Sequence, residues 1–183
     1  MSPTRKDPYL HQPYILFWYW EVTPANPITI ACFSQWFPAS FTDPTHPGLT
    51  FKTTEHHMMY NKALVFDDLE TAERIIEADT PSEAKALGRM VKGFDKKRWD
   101  ETNDAVVQRG NYHKFDQNQE LKRVLLKTKG KTMVEASPDD RVWGIGFGVD
   151  EAEGREDEWG ANRMGLALTG ARDILLKDME KDD

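Results

Sequence analysis

Thr53-Thr54-Glu55-His56-His57-Met58-Met59-Tyr60-Asn61-Lys62 is the stretch whose reading decides the fold. Thr53 or Thr54 can cap a helix start, and the helical reading continues to about residue 66. On that helix Glu55 and Lys62 stand two turns apart on nearly one face, ~10 Å along the axis. Both side chains lean toward the N-terminus, so the space between their tips stays open and suits a sugar ring. From spacing alone the plainer reading is two solvated charges, because exposed Glu and Lys are commonplace. The rest of the chain has to decide between them.

Outward from this helix the pattern stays mainly helical. A second helix is predicted over residues 69–78. A third starts with Thr80 as N-cap, Pro81 at the first position and Glu83 completing a capping box, and ends near residues 88–91. Residues 99–115 read as helical with a break at Gly110, and 119–128 as another helix stopped by Gly130. The last helix begins near Asn162 as N-cap and carries Met164, Leu168, Ala171, Leu175 and Met179 as its apolar stripe. Strands are predicted at 14–20 and 132–135, with a turn-rich loop at 43–48 and a glycine-rich then acidic loop at 143–158. The expected fold is α+β, mainly α: one compact domain over residues 14–177, with a flexible arm at 1–13 and an acidic tail at 178–183.

Composition narrows the function. The formal charge of −7 argues against strong binding to duplex DNA, which needs a broad cationic surface. Base is concentrated at Lys85, Arg89, Lys92, Lys96, Lys97 and Arg98, which leaves a phosphate-bearing ligand or a nucleic-acid end open as partner. No apolar run approaches the ~20 residues of a membrane span, and no signal-peptide core opens the chain. One cysteine, Cys32, excludes an internal disulfide and reads as core. The adjacent His56 and His57 point about 100° apart on a helix and do not readily chelate one ion, so neither a metal nor another cofactor is expected. Gly160-Ala161-Asn162-Arg163-Met164-Gly165 precedes a helix whose free N–H groups could hold a phosphate, or Asn162 could simply cap it. Six tryptophans leave some free to stack on a base.

The order of motifs carries more than any single one. Phe33-Ser34-Gln35-Trp36, Thr54-Glu55-His56 with Lys62, Gly88-Arg89, Trp99, Lys114-Phe115 and Leu125-Leu126-Lys127-Thr128 come in series. Val134-Glu135, Asp140, Trp143-Gly144 and Gly160 with Asn162-Arg163-Met164-Gly165 continue it. Over residues 17–176 the chain resembles the YbiA-like, or NADAR, family. The resemblance implies a mainly helical N-glycosidase acting on phosphoribosylaminouracil intermediates of riboflavin synthesis or removing ADP-ribose from modified guanine. It assigns Glu55 and Lys62 to catalysis, and Ser34, Gln35, Arg89, Trp99, Asp140, Trp143, Gly144, Gly160 and Asn162 to lining or shaping the pocket. It implies an ADP-ribose or ribose phosphate partner, while the missing apolar run and the lone Cys32 lead to no membrane and an expected cytoplasmic location, with the nucleus open. Gln35 stands where many members have Asn, Ile145 where some have Asp, and the acidic 150–158 segment replaces a shorter loop. A non-catalytic ADP-ribose-binding module remains a rival reading, although such a module could have lost Glu55 or Lys62. A base deaminase would normally need metal-ligand spacings that are missing.

Overall fold

The computed structural model describes residues 13–182, so the expected arm at 1–13 lies outside the described residues except for Pro13. In chain order the elements are β1 (Tyr14–Phe17), α1 (Ile28–Ala31), β2 (Phe41–Thr42), β3 (Thr50–Phe51), α2 (Thr54–Val65), α3 (Leu69–Glu77) and α4 (Pro81–Arg89). They continue with α5 (Lys96–Asp100), α6 (Asn103–Gln117), α7 (Gln119–Leu126), β4 (Thr132–Glu135), a 3-10 turn (Glu156–Glu158) and α8 (Arg163–Asp182). The α+β, mainly helical class expected from the sequence is the class observed. Among the described residues two compact units are distinguished, residues 35–119 and residues 13–34 with 120–182.

The 35–119 unit is built on α2. Thr53 is extended, and its hydroxyl accepts from the His56 N–H, which sets the first turn. Helices α3, α4 and α6 all pack on α2, so it is buried on several sides although its sequence is polar. Most of its polar groups are met individually, although the buried His57 Nδ1 has no partner. His56 Nε2 bonds the Ala78 carbonyl at 3.1 Å, and Asn61 donates to the His57 carbonyl at 2.8 Å. Helix α3 is capped by Asp68, which also holds the Lys92 N–H at 2.8 Å. Thr80 and Pro81 start α4 as the sequence predicts, and Glu83 reaches back to the Asp79 N–H at 3.0 Å, one residue beyond the usual box partner.

The predicted break at Gly110 is corrected. Helix α6 runs through it, and the interruption lies at residues 101–102, between α5 and α6. Gly110 instead provides room: a Cβ there would stand 2.6 Å from His57 Nδ1. Gly88 likewise lets α4 approach Met59 of α2, where a Cβ would fall 2.1 Å from the thioether sulfur.

The other unit pairs β1 and β4 in parallel, Tyr14 opposite Thr132 through Phe17 opposite Glu135, with α8 against β4. Met164, Leu168, Ala171 and Leu175 are buried as the stripe requires, but Met179 is 46% exposed and ends it. Helix α8 continues to Asp182, so residues 178–182 of the expected acidic tail are helical. The acidic 150–158 segment folds back on its own unit. Ala152 is buried, Trp159 donates its indole N–H to the Ala152 carbonyl at 3.1 Å, and Tyr14 donates to Glu156 at 3.2 Å. No helix among the described residues is long and apolar enough to cross a membrane.

Gly110 and Gly88 differ in how far their neighbours can yield, because a methionine end is flexible whereas the His57 ring is held by Asp43 at 2.8 Å. Gly110→Ala gains up to about 1 kcal/mol of helix propensity and meets about 1–3 kcal/mol of overpacking. A net loss in urea unfolding is expected, and a stabilised variant would contradict the close approach of α6 to α2.

Candidate active site

Glu55 sits in the first turn of α2 and is only 5% exposed. Its backbone N–H donates to the Gln35 carbonyl at 3.1 Å, and the Thr54 hydroxyl donates to the same oxygen at 3.1 Å. Gln35 thus fixes where the helix begins, and its own side chain is buried against Met58 and Asn111. Burial pushes the Glu55 carboxyl up to about 7, against the opposing pull of Lys85, a hydrogen bond from the Trp36 side chain, Arg89 and Lys62. A carboxyl poised there gives and takes protons near neutral pH.

Lys62, two turns on, is half-buried. Its ammonium donates to the Gly88 carbonyl at 2.7 Å and stands 4.2 Å from the centre of the Phe94 ring. Burial and the charge of Arg89 lower its pKa, while Glu55 opposes them. Arg89 is the last residue of α4. The structure therefore gathers Glu55, Lys62 and Arg89, with Gln35 under the helix start. Trp99 is buried in α5, and its carbonyl accepts from the Thr102 hydroxyl at 3.2 Å.

The remaining expected residues belong to the other unit. Ser34 is buried just after α1. Asp140 accepts from the N–H groups of Val142 and Trp143, both at 2.8 Å, and so shapes the turn that carries Trp143. Gly144 passes so close to Glu135 that a Cβ would stand 2.9 Å from its carbonyl oxygen, and at Gly160 a Cβ would stand 2.3 Å from that of Arg141. Asn162 adopts a left-handed φ of +49°. Its side chain accepts from Glu135 N–H at 3.0 Å and donates to the Met133 carbonyl at 2.8 Å, which locks the start of α8 to β4. The amide is thereby spent on strand backbone instead of capping the helix. Arg163 covers the Trp143 ring at 5.2 Å.

Sequence reasoning missed two groups. Trp36 and Lys85 bear directly on Glu55, yet one was noted only within a motif and the other only within a basic run. The second group surrounds Asp43, which takes bonds from His57 Nε2 and Arg109 Nε, each at 2.8 Å, and from Thr45. Burial pushes the Asp43 carboxyl up, but these hydrogen bonds hold it well below the usual carboxylate range. Asp43, His46 and His57 offer ligand atoms within 4.8 Å of one another. The Arg109 guanidinium, however, already takes a cation's place beside Asp43. That arrangement fits a structural ion network under α2 better than a metal centre.

The model of the NADAR domain family matches residues 18–176. The N-glycosidase R617 of Acanthamoeba polyphaga mimivirus is 38% identical over 152 residues, covering 81% of this chain and 89% of its own. The chloroplastic riboflavin biosynthesis protein PYRR of Zea mays is 33% identical over 153 residues, covering 79% of this chain but 23% of its own. The N-glycosidase YbiA of Escherichia coli is 30% identical over 128 residues, covering 70% of this chain and 72% of its own. The NMR structure of the E. coli protein YbiA has the same fold, with a TM-score of 0.72 at 24% identity over 95% of this chain and 92% of that one. The chain belongs to the NADAR family and is an N-glycosyl hydrolase.

Proposed function

We propose that this N-glycosidase releases ADP-ribose from a modified guanine base or nucleotide, with Glu55 as the proton-transfer group. The observation that carries the reading is a buried carboxyl pushed up to about 7 with three cationic side chains around it. That combination suits a ribose bond to nitrogen in a substrate that bears phosphate.

Glu55 in its acid form gives a proton to the departing base nitrogen as the ribose–nitrogen bond breaks. The resulting carboxylate faces the oxocarbenium-like sugar and takes a proton from the attacking water, which restores the acid. Lys62 acts as a fixed positive charge that orients the substrate's anionic part. Its ammonium is engaged by the Gly88 carbonyl and the Phe94 ring, contacts that hold the proton against the burial and the Arg89 charge that lower its pKa. Gln35 and Trp99, in the same unit as Glu55, shape the substrate's surroundings in this reading. A phosphoribosylaminouracil intermediate is the second substrate reading, and the resemblance to the maize riboflavin biosynthesis protein favours it.

Mass spectrometry of products separates the two substrates. Release of ADP-ribose from an ADP-ribosylated guanine oligonucleotide supports the first. Release of ribose phosphate from the aminouracil ribotide alone transfers the assignment to the second.

Glu55→Gln should slow turnover about 10²–10⁴-fold. It should also change stability with a definite sign. The carboxyl titrates near 4.5 when unfolded and about 7 when folded, so stability falls as pH rises through that window. Glu55→Gln should therefore melt higher than the parent at pH 8 and much like it at pH 4. Equal melting at both would deny the strained carboxylate.

Borohydride added during turnover should trap no sugar on the protein. An adduct that forms in the parent and disappears in Lys62→Ala would replace the electrostatic role of Lys62 with a covalent one.

A further inference from the structure

The cations of the 35–119 unit differ in what they meet. Lys52, Lys92 and Lys96 each meet an exposed carboxylate, from Asp79, Glu70 and Asp100 respectively. Lys85 and Arg89, one turn apart on α4, have no carboxylate at ion-pair distance among the described residues. The acid they act on is the buried Glu55, and of the cations around it Lys85 exerts the largest influence.

Lys85 is also held in place. Its ammonium stands over the half-buried Trp36 ring, 5.7 Å from the centroid, and the same indole donates its hydrogen bond to Glu55. One rigid aromatic group therefore spaces a cation from the proton-transfer carboxyl, with the negative ring face toward the ammonium and the positive N–H edge toward the acid. With Lys62 included, three cations bear on one carboxyl that burial tends to keep neutral. Positive charge beside Glu55 is left uncompensated when that carboxyl is neutral.

We propose that Lys85, steadied by Trp36, is a specificity-determining residue that binds a phosphate ester of the substrate beside Glu55. This rests on the N-glycosidase site described above. It adds a residue that the motif reading did not assign. A phosphate accepts charge-assisted hydrogen bonds from Lys85 and from Arg89. A neutral ribose offers no anionic oxygen to either.

Calorimetric titration of the full chain with ribose, ribose 5-phosphate and ADP-ribose tests this without depending on turnover. The parent should bind ribose 5-phosphate about ten-fold or more tightly than ribose. Lys85→Gln should erase that margin, and Lys85→Arg should keep most of it. Melting temperatures and circular dichroism confirm that each variant is folded. A larger loss for ADP-ribose than for ribose 5-phosphate places Lys85 at a pyrophosphate, and the reverse places it at the 5-phosphate of a ribotide. A parent with no preference for phosphate, or a folded Lys85→Gln that retains the preference, overturns the proposal. If the Lys85-dependent preference is present while no N-glycoside is cleaved, the phosphate site stands and the assigned substrates fail.

Discussion

The burial of a polar helix is the constraint on which the 35–119 unit depends. Helix α2 carries a glutamate, two histidines, an asparagine and a lysine among three packed helices, so each polar group needs a partner on a neighbouring element. The partners come from far along the chain: Ala78 for His56, Asp43 for His57, and Gly88 for Lys62. Removing one of these partners leaves a buried polar group unsatisfied, which typically costs about 1–3 kcal/mol. The Asp43 network is the most concentrated case, because His57 and Arg109 share one carboxylate oxygen and Arg109 also reaches Asn61. It anchors α2 two residues beyond Glu55.

The chemistry follows from the same burial. An exposed glutamate at a helix start would be stabilised as an anion by the positive end of the helix. Packed inside, Glu55 gives up solvation, and only the surrounding cations and the Trp36 N–H keep its carboxyl from rising further than about 7. Position near neutrality is thus a balance of two opposing effects, and each has named residues behind it. Glycines make the close packing feasible at Gly88 and Gly110, where any side chain would strike α2.

Much of this was legible in the sequence where the physics is local. Thr80-Pro81 announces α4, and Thr132–Glu135 emerges as the β4 strand. The helix carrying Glu55 and Lys62 is read from its threonine cap, and their pairing across two turns follows from helical geometry. What was hidden depends on distant partners. The burial of α2 leaves no amphipathic pattern, because neighbours surround it on several sides. Gly110 reads as a helix breaker until His57 is seen beside it. Asn162 reads as an N-cap, but its amide is taken by the β4 backbone across 29 residues of chain. The Asp43, His57 and Arg109 group spans 66 residues, so no spacing rule finds it. Family motif order, not local chemistry, pointed to the residues of the other unit, and there the structure shows backbone-shaping roles for Asp140 and Asn162.

Packing, and not an unusual residue, tunes Glu55. Carbon-detected NMR of the protein labelled at glutamate carboxyls, assigned by comparison with Glu55→Gln, measures it directly. A Glu55 titration midpoint close to 7 is the predicted result. A midpoint near the ordinary value of 4.5 would mean that the carboxyl is solvated, and the account of α2 as a buried polar helix would be wrong.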